Sequence, residues 1–328
     1  MRDPEIPALL RSLLKPKEAG VWAEERPGRE TSLKRVGDLV AAAQEVEYQD
    51  AWDAGMVRYA GRCFVQANLP HSQRSIDPTK PFSRQNGKMF LEVKPDSKFG
   101  IPYGSIPRLL LLWIANEVRR REDPKIILGD NLSVFMDSIG IHQNGGARGG
   151  ITRLRNQMER LFNAEIRFRY TDEESSRGKL YAIQDYDLWW GKPKDNQSSL
   201  WVSQIHLTEP LFQELLLHSA PVDMRTIKVL RASPMELDVY CWLTYRMHTL
   251  RRPLFLPYEV LEMQFGSHYK NSRDFKINID RALWAVLKQY SQAKVTPGSK
   301  EFGHSGWKLM PSPPHVRALP PKIEPRGV

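Results

Sequence analysis

Four arginines, Arg148, Arg153, Arg155 and Arg160, crowd into one short stretch beside Gly149 and Gly150. A guanidinium carries its N–H donors in a planar fork, a shape that fits phosphate oxygens and the acceptor edge of guanine. Read at about 100° per residue, Ile151–Phe162 is an amphipathic helix. Ile151, Leu154, Met158, Leu161 and Phe162 share its apolar face, and Thr152, Arg153, Asn156 and Arg160 share the opposite one. Such side chains hold phosphates or bond to base edges. A solvated basic face explains this single helix equally well. The run Gly145–Gly150 has no lysine-serine pair after it, so it is not an ATPase phosphate loop. Gly149 and Gly150 suit a tight turn that brings backbone close to DNA phosphate at a helix N-terminus.

The elements around this helix follow from periodicity. Ile106–Val118 is an apolar helix ending in Arg119–Arg121, Lys125–Leu128 an extended piece, and Asp130–Ile139 a second helix stopped by Gly140. Helix, strand, helix, turn and basic helix is the order of a helix-turn-helix unit. Glu165–Tyr170 alternates, with Arg167 and Arg169 on one face. With Lys179–Ile183 it predicts a hairpin wing, to which Lys179 adds charge, and Leu200–Leu207 is a candidate third strand.

The pattern recurs at a constant offset. Trp113 is followed by Trp242 at the same spacing that separates Pro124 from Pro253. At that offset Ile126 meets Phe255, Met136 meets Phe265, Leu154 meets Leu283 and Met158 meets Leu287. Two similar winged-helix domains in tandem is the simplest account, so the expected fold class is α+β and mainly helical. In the second copy Ser233 caps a helix begun by Pro234, Leu254–Leu256 is the strand and Tyr258–Phe265 the second helix. Lys270, Asn271 and Arg273 lead into a third helix, about Asp274–Tyr290. Phe275, Ile279, Leu283, Val286, Leu287 and Tyr290 share its core face, with Asn278, Arg281 and Lys288 opposite. Ala293–Thr296 and Trp307–Met310 should make the second wing, joined through Pro297–Lys300.

Three runs, Phe99–Ala115, Leu128–Ser133 and Gly149–Met158, resemble the plasmid replication initiators called RepA, in the branch found on IncW-type broad-host-range plasmids. The resemblance spans about residues 88–310. It implies a protein that binds repeated origin sequences (iterons) and an operator inverted repeat, opens A·T-rich DNA and recruits host replication proteins such as the helicase or its loader. It implies monomer and dimer forms. It also favours Arg273, Asn278 and Arg281 as base contacts, because the second domain is usually the stronger reader in that family. A transcriptional repressor that binds DNA without opening it would share every feature from Lys88 onward.

Composition agrees with a polyanionic partner: 328 residues carry a net charge of +10. The longest apolar run, Leu109–Ala115, is far too short to span a membrane, and Met1–Pro7 lacks the apolar region of a signal peptide. Two cysteines, Cys63 and Cys241, exclude a disulfide framework and fit a reducing cytoplasm. No cofactor, metal or catalytic residue is expected. Asp185 and Asp187 could hold a metal as in a primase, but an isolated Asp-x-Asp at a strand end is far more often solvated, and Trp189–Trp190 reads as a packing cluster.

The expected domains are 1–87, 88–221, 222–311 and 312–328. The first is a helical appendage on the first winged helix, or a docking segment for a partner. It holds a helix over Leu33–Trp52 capped by Ser32, then a polar linker over His71–Gly87. Lys88–Val93 is an expected edge strand, and Glu209–His218 a helix joining the domains. Six prolines fall between Pro311 and Val328, so the last stretch reads as a flexible tail.

Overall fold

A computed structural model describes residues 29–77, 80–87, 89–128, 132–147, 149–171, 176–177, 183–187, 203–266, 269 and 271–317. The expected site residues Arg148, Lys179 and Lys270 lie outside them, as do Trp189 and Trp190. The chain divides into two compact units, Met1–Asp38 and Leu39–Val328.

Helix α1 runs Arg29–Tyr48. Ser32 lies inside it, which corrects the expected cap. After it come strand β1 (Val57–Gly61), the short helix α2 (Arg62–Gln66), a 3-10 turn at Gln73–Ser75, and strands β2 (Phe82–Asn86) and β3 (Met89–Lys94). Residues 82–86 are therefore not linker. Their alternation buries Phe82 and Arg84, and a buried arginine is what made the stretch read as polar loop.

Helix α3 covers Ser105–Arg121. Arg119–Arg121 fill its last turn, where cations meet the negative end of the helix dipole. Glu122 follows in the left-handed region at φ 54°. Next come strand β4 (Lys125–Ile127), helix α4 (Leu132–Ser138), helix α5 (Gly150–Asn163) and strands β5 (Glu165–Thr171), β6 (Ser176–Arg177), β7 (Ile183–Asp187) and β8 (Gln204–Leu207). The expected wing is corrected here. Strand β5 pairs with β3, in a sheet ordered β2-β3-β5-β6. That places β3 inside a sheet rather than at its edge, and moves Arg167 and Arg169 off the wing. The strand β4 belongs to a separate sheet ordered β4-β8-β7.

Helix α6 (Glu209–Leu217) buries Leu211, Phe212 and Leu215. Strand β9 (Ser219–Asp223) and helix α7 (Met224–Leu230) follow, neither of which the sequence reading anticipated. The strand β9 pairs antiparallel with β1 across the whole middle of the chain. Helix α8 (Pro234–Thr249) starts as expected, with Ser233 accepting a bond from the Glu236 amide at 3.3 Å. Strand β10 (Leu254–Pro257), helix α9 (Tyr258–Phe265), helix α10 (Ser272–Gln289) and strands β11 (Lys294–Glu301) and β12 (His304–Met310) complete the order. Pro297 and Gly298 are not the turn. They sit at a register shift within β11, and the turn is Phe302–Gly303.

The internal repeat is visible in the elements. Twice the chain runs helix, strand, helix, helix, and each time two later strands close a three-stranded sheet in the same order, β4-β8-β7 and β10-β12-β11. Trp113 meets Phe135 edge-on at 5.0 Å, and Trp242 meets Phe265 at 5.6 Å. Phe135, not Met136, is thus the partner that matches Phe265.

The two copies share one core, which runs from Leu39 to Leu309. A buried ion pair crosses between them. Arg108 of α3 donates from Nε to Asp238 Oδ1 of α8 at 2.7 Å and from Nη2 to Oδ2 at 2.7 Å. Its other N–H groups reach the carbonyls of Leu69, Pro70 and Gly104. His71 Nε2 lies 2.8 Å from Asp238 Oδ2. Burial holds the His71 imidazole below its usual pKa. Asp238 stays below the usual carboxylate range although burial alone would raise it, because Arg108 faces it. A neutral ring therefore donates Nε2–H to an ionised carboxylate.

The boundaries expected at 87/88 and 221/222 fall inside the β2–β3 pair and inside β9. The tail expected from residue 312 is corrected over Ser312–Arg317. Val316 is buried, the Tyr290 hydroxyl bonds to the Pro313 carbonyl, and Trp52 Nε1 donates to Arg317 O at 2.7 Å. Residues 39–48 of α1 dock on the second copy rather than the first. Gln289 Nε2 bonds to Leu39 O at 2.7 Å, and Arg225 Nη1 to Glu45 O at 2.8 Å.

Candidate nucleic-acid interface

The outward face of α5 has the composition expected, but not every residue is available for the same work. Arg153 is exposed. Thr152 is exposed and donates its hydroxyl to Gly146 O at 2.8 Å. Asn156 and Arg160 are bonded to each other, Nε to Oδ1 at 2.7 Å. Arg160 also reaches Ile101 O at 3.3 Å and lies 5.3 Å above the Tyr103 ring. The buried Gln157 takes the Tyr103 amide at 3.0 Å. Arg160 and Gln157 thus brace the loop before α3 against α5, a role the helical pattern did not disclose.

The glycine turn owes its composition to packing. A Cβ on Gly150 would stand 2.0 Å from His142 O, and one on Gly149 2.2 Å from Asn144 O. Their amides point inward, Gly150 N to Asn144 Oδ1 at 2.5 Å and Gly149 N to Gly146 O at 3.0 Å. Asn144 therefore holds the turn, and both amides are engaged within it. Gly150→Ala should cost about 1–3 kcal/mol, the usual range for overpacking. A urea midpoint equal to the wild-type value would contradict this.

On β5, Arg167 pairs with Glu165 and lies 3.5 Å from Glu92. Burial pushes the Glu165 carboxyl up, and Arg167 and Lys94 pull it below its ordinary value. Arg169 is exposed and covers the Phe90 ring at 4.9 Å. Asp185, on β7, lies 3.5 Å from His206. Among the described residues no group of three or more His, Cys, Asp or Glu could hold a metal.

The second copy presents the fuller face. Asn271 caps α10 by accepting the Asp274 amide at 2.8 Å. Arg273 and Arg281 are exposed. Asn278 donates to Asp274 O at 2.8 Å and accepts from Arg281 Nη1 at 3.3 Å. Lys288 sits 5.3 Å over the ring of Trp284, which is 42% exposed. Arg273, Ile277, Arg281, Trp284 and Lys288 recur at helical spacing on one stripe. The sequence reading missed Trp284, although its spacing from Arg281 and Lys288 signals it. A clamp fixes this helix to its sheet: Asp280 accepts from Tyr258 Oη at 2.5 Å and from Trp307 Nε1 at 2.6 Å. Burial raises the Asp280 pKa even against these two bonds.

With this geometry in view, comparison with known proteins gives one family. Residues 101–253 match the model described as RepA_C, plasmid encoded RepA protein. Those residues, just under half of the chain, are similar to that family. The RepA match takes in α3, β4, α4 and α5 and ends at Pro253, before α10. The RepA resemblance read from the Phe99–Ala115 and Gly149–Met158 runs is thereby borne out, though not its IncW branch. Among solved structures, the SeMet derivatives of domain 2 and domain 3 of RctB are similar at 11% identity. That match covers 79% of this chain and 99% of that one, with a TM-score of 0.49. RctB domains 2-3, residues 155-483, align at 10% identity over 74% of this chain and 95% of that one, with a TM-score of 0.46. No curated protein sequence gives a significant match. No helix among the described residues is long and apolar enough to cross a membrane.

Proposed function

We propose that this chain is a plasmid replication initiator that binds repeated origin DNA through two winged helices, α5 and α10 each entering a major groove. The repeated unit carries the reading. Its order, helix-strand-helix-helix with a sheet of first, third and second strands, occurs twice, and each third helix turns basic side chains outward. The proposed DNA contacts are Thr152, Arg153 and Arg169 in the first copy, and Arg273, Asn278, Arg281 and Lys288 in the second. Origin opening, recruitment of a host helicase or its loader, and a dimer on an inverted repeat complete the proposal. The activity is binding in the cytoplasm, with no catalytic step.

The test is fluorescence anisotropy on the plasmid's origin repeat and on a scrambled duplex across a salt series. Both should show a steep salt slope, because phosphate contacts release counterions, and the repeat should bind far more tightly. Arg281→Ala should lose about 1–3 kcal/mol on the repeat only. Equal affinity for both duplexes in the wild-type chain would overturn the proposal.

A further inference from the structure

The turn of the second wing carries a residue that its backbone does not want. Glu301 and His304 pair across a two-residue loop of Phe302 and Gly303. Both have positive φ, 51° and 81°. Such type I′ turns favour asparagine or glycine first and glycine second, because the left-handed region suits them and strains a bulky side chain. Phenylalanine takes the first place here and packs on nothing, being 91% exposed. A large apolar group in a strained, solvated turn lowers folding stability relative to asparagine at the same place. Its use lies in what it touches outside the chain.

Its surroundings say what that is. Lys300 is exposed beside it, and the charge of Glu301 is taken by Lys308 at 2.7 Å. The wing is not free to swing from the basic helix, since Trp307 on β12 is bonded to Asp280 on α10. An apolar tip next to positive charge, held in fixed relation to a groove-reading helix, is the form of a wedge that enters between base pairs.

Resting on the reading above, we propose that Phe302 inserts from the wing into the minor groove beside the bound repeat and unstacks one base step there. Unstacking at that step would give the initiator a point from which strand separation starts.

The test uses the full chain with a duplex selected by it from a random library, carrying 2-aminopurine at successive positions. Phe302→Asn and Phe302→Gly should fold at least as stably as wild type, since both suit the turn. Wild-type protein should raise 2-aminopurine fluorescence at one step. Both variants should abolish that rise and bind roughly tenfold more weakly, as expected on loss of an apolar anchor. Equal fluorescence with wild type and variants, or no rise with either on a tightly bound duplex, would overturn the wedge and leave origin binding intact. Failure of the wild-type chain to select any sequence would overturn both.

Discussion

Arg108→Ala should destabilise the protein by about 3–5 kcal/mol, the cost of leaving one member of a buried ion pair alone. The side chains of Arg108 and Asp238 are only 7% and 8% exposed. Every N–H of the guanidinium has a partner, so alanine leaves the Asp238 carboxylate without its counter-charge and takes a donor from the carbonyls of Leu69, Pro70 and Gly104. Asp238→Ala should cost a similar amount by stranding Arg108, and His71 loses its acceptor as well. Removing both charges is a different experiment. Arg108→Met with Asp238→Leu should cost less than either single change, because an apolar pair needs no solvation. Urea midpoints of the three variants decide it. Single variants within about 1 kcal/mol of wild type would show that the pair is not the lock described.

Acid should release the Ser312–Arg317 strap. His315 stacks on Tyr290 with centroids 4.7 Å apart, and its Nδ1 lies 2.8 Å from the Tyr240 hydroxyl. That hydroxyl accepts the Asp223 amide at 2.9 Å, so its own proton goes to Nδ1. A half-buried ring that accepts at Nδ1 resists protonation, and its withdrawal from solvent pushes its pKa down to about 4. The folded value lies below the ordinary 6.5. The neutral ring thus contributes its full stability above about pH 6.5, lost progressively as pH falls to about 4 and totalling about 3 kcal/mol. Denaturation midpoints from pH 8 to 4 should fall less steeply in His315→Gln than in wild type. Parallel curves would remove His315 from the account.

The contrast between what the sequence disclosed and what it hid follows the range of the interactions. Helices α3, α9 and α10 were legible because each has a local period, and Ser233 and Asn271 mark the starts of α8 and α10. The internal repeat was legible because Trp113 and Trp242 fill the same place in each copy. Strand β1 was hidden, since it pairs with β9, which lies beyond the whole first copy; Ala60 meets Ala220 there. No local pattern reports so distant a partner. The buried Arg84 and the docked His315 sit in segments whose polar and proline-rich composition normally marks loops. At the interface, periodicity gave the correct faces of α5 and α10. It could not tell that Arg160 braces a loop, that Asn144 consumes the Gly150 amide, or that Phe302 tips the second wing.

The reach of these contacts also sets when the protein can fold. Arg108 and Asp238 are 130 residues apart, and Leu39 and Gln289 are separated by 250. At about 5–20 residues per second, a ribosome leaves Arg108 waiting on the order of ten seconds for its carboxylate. The first copy is therefore synthesised whole yet cannot seal its core, and β1 stays without its ladder until β9 has emerged. Half a duplicated fold does not mature alone on the ribosome. Its apolar surface remains open to chaperones until the second copy arrives, and the chain closes late and as one piece.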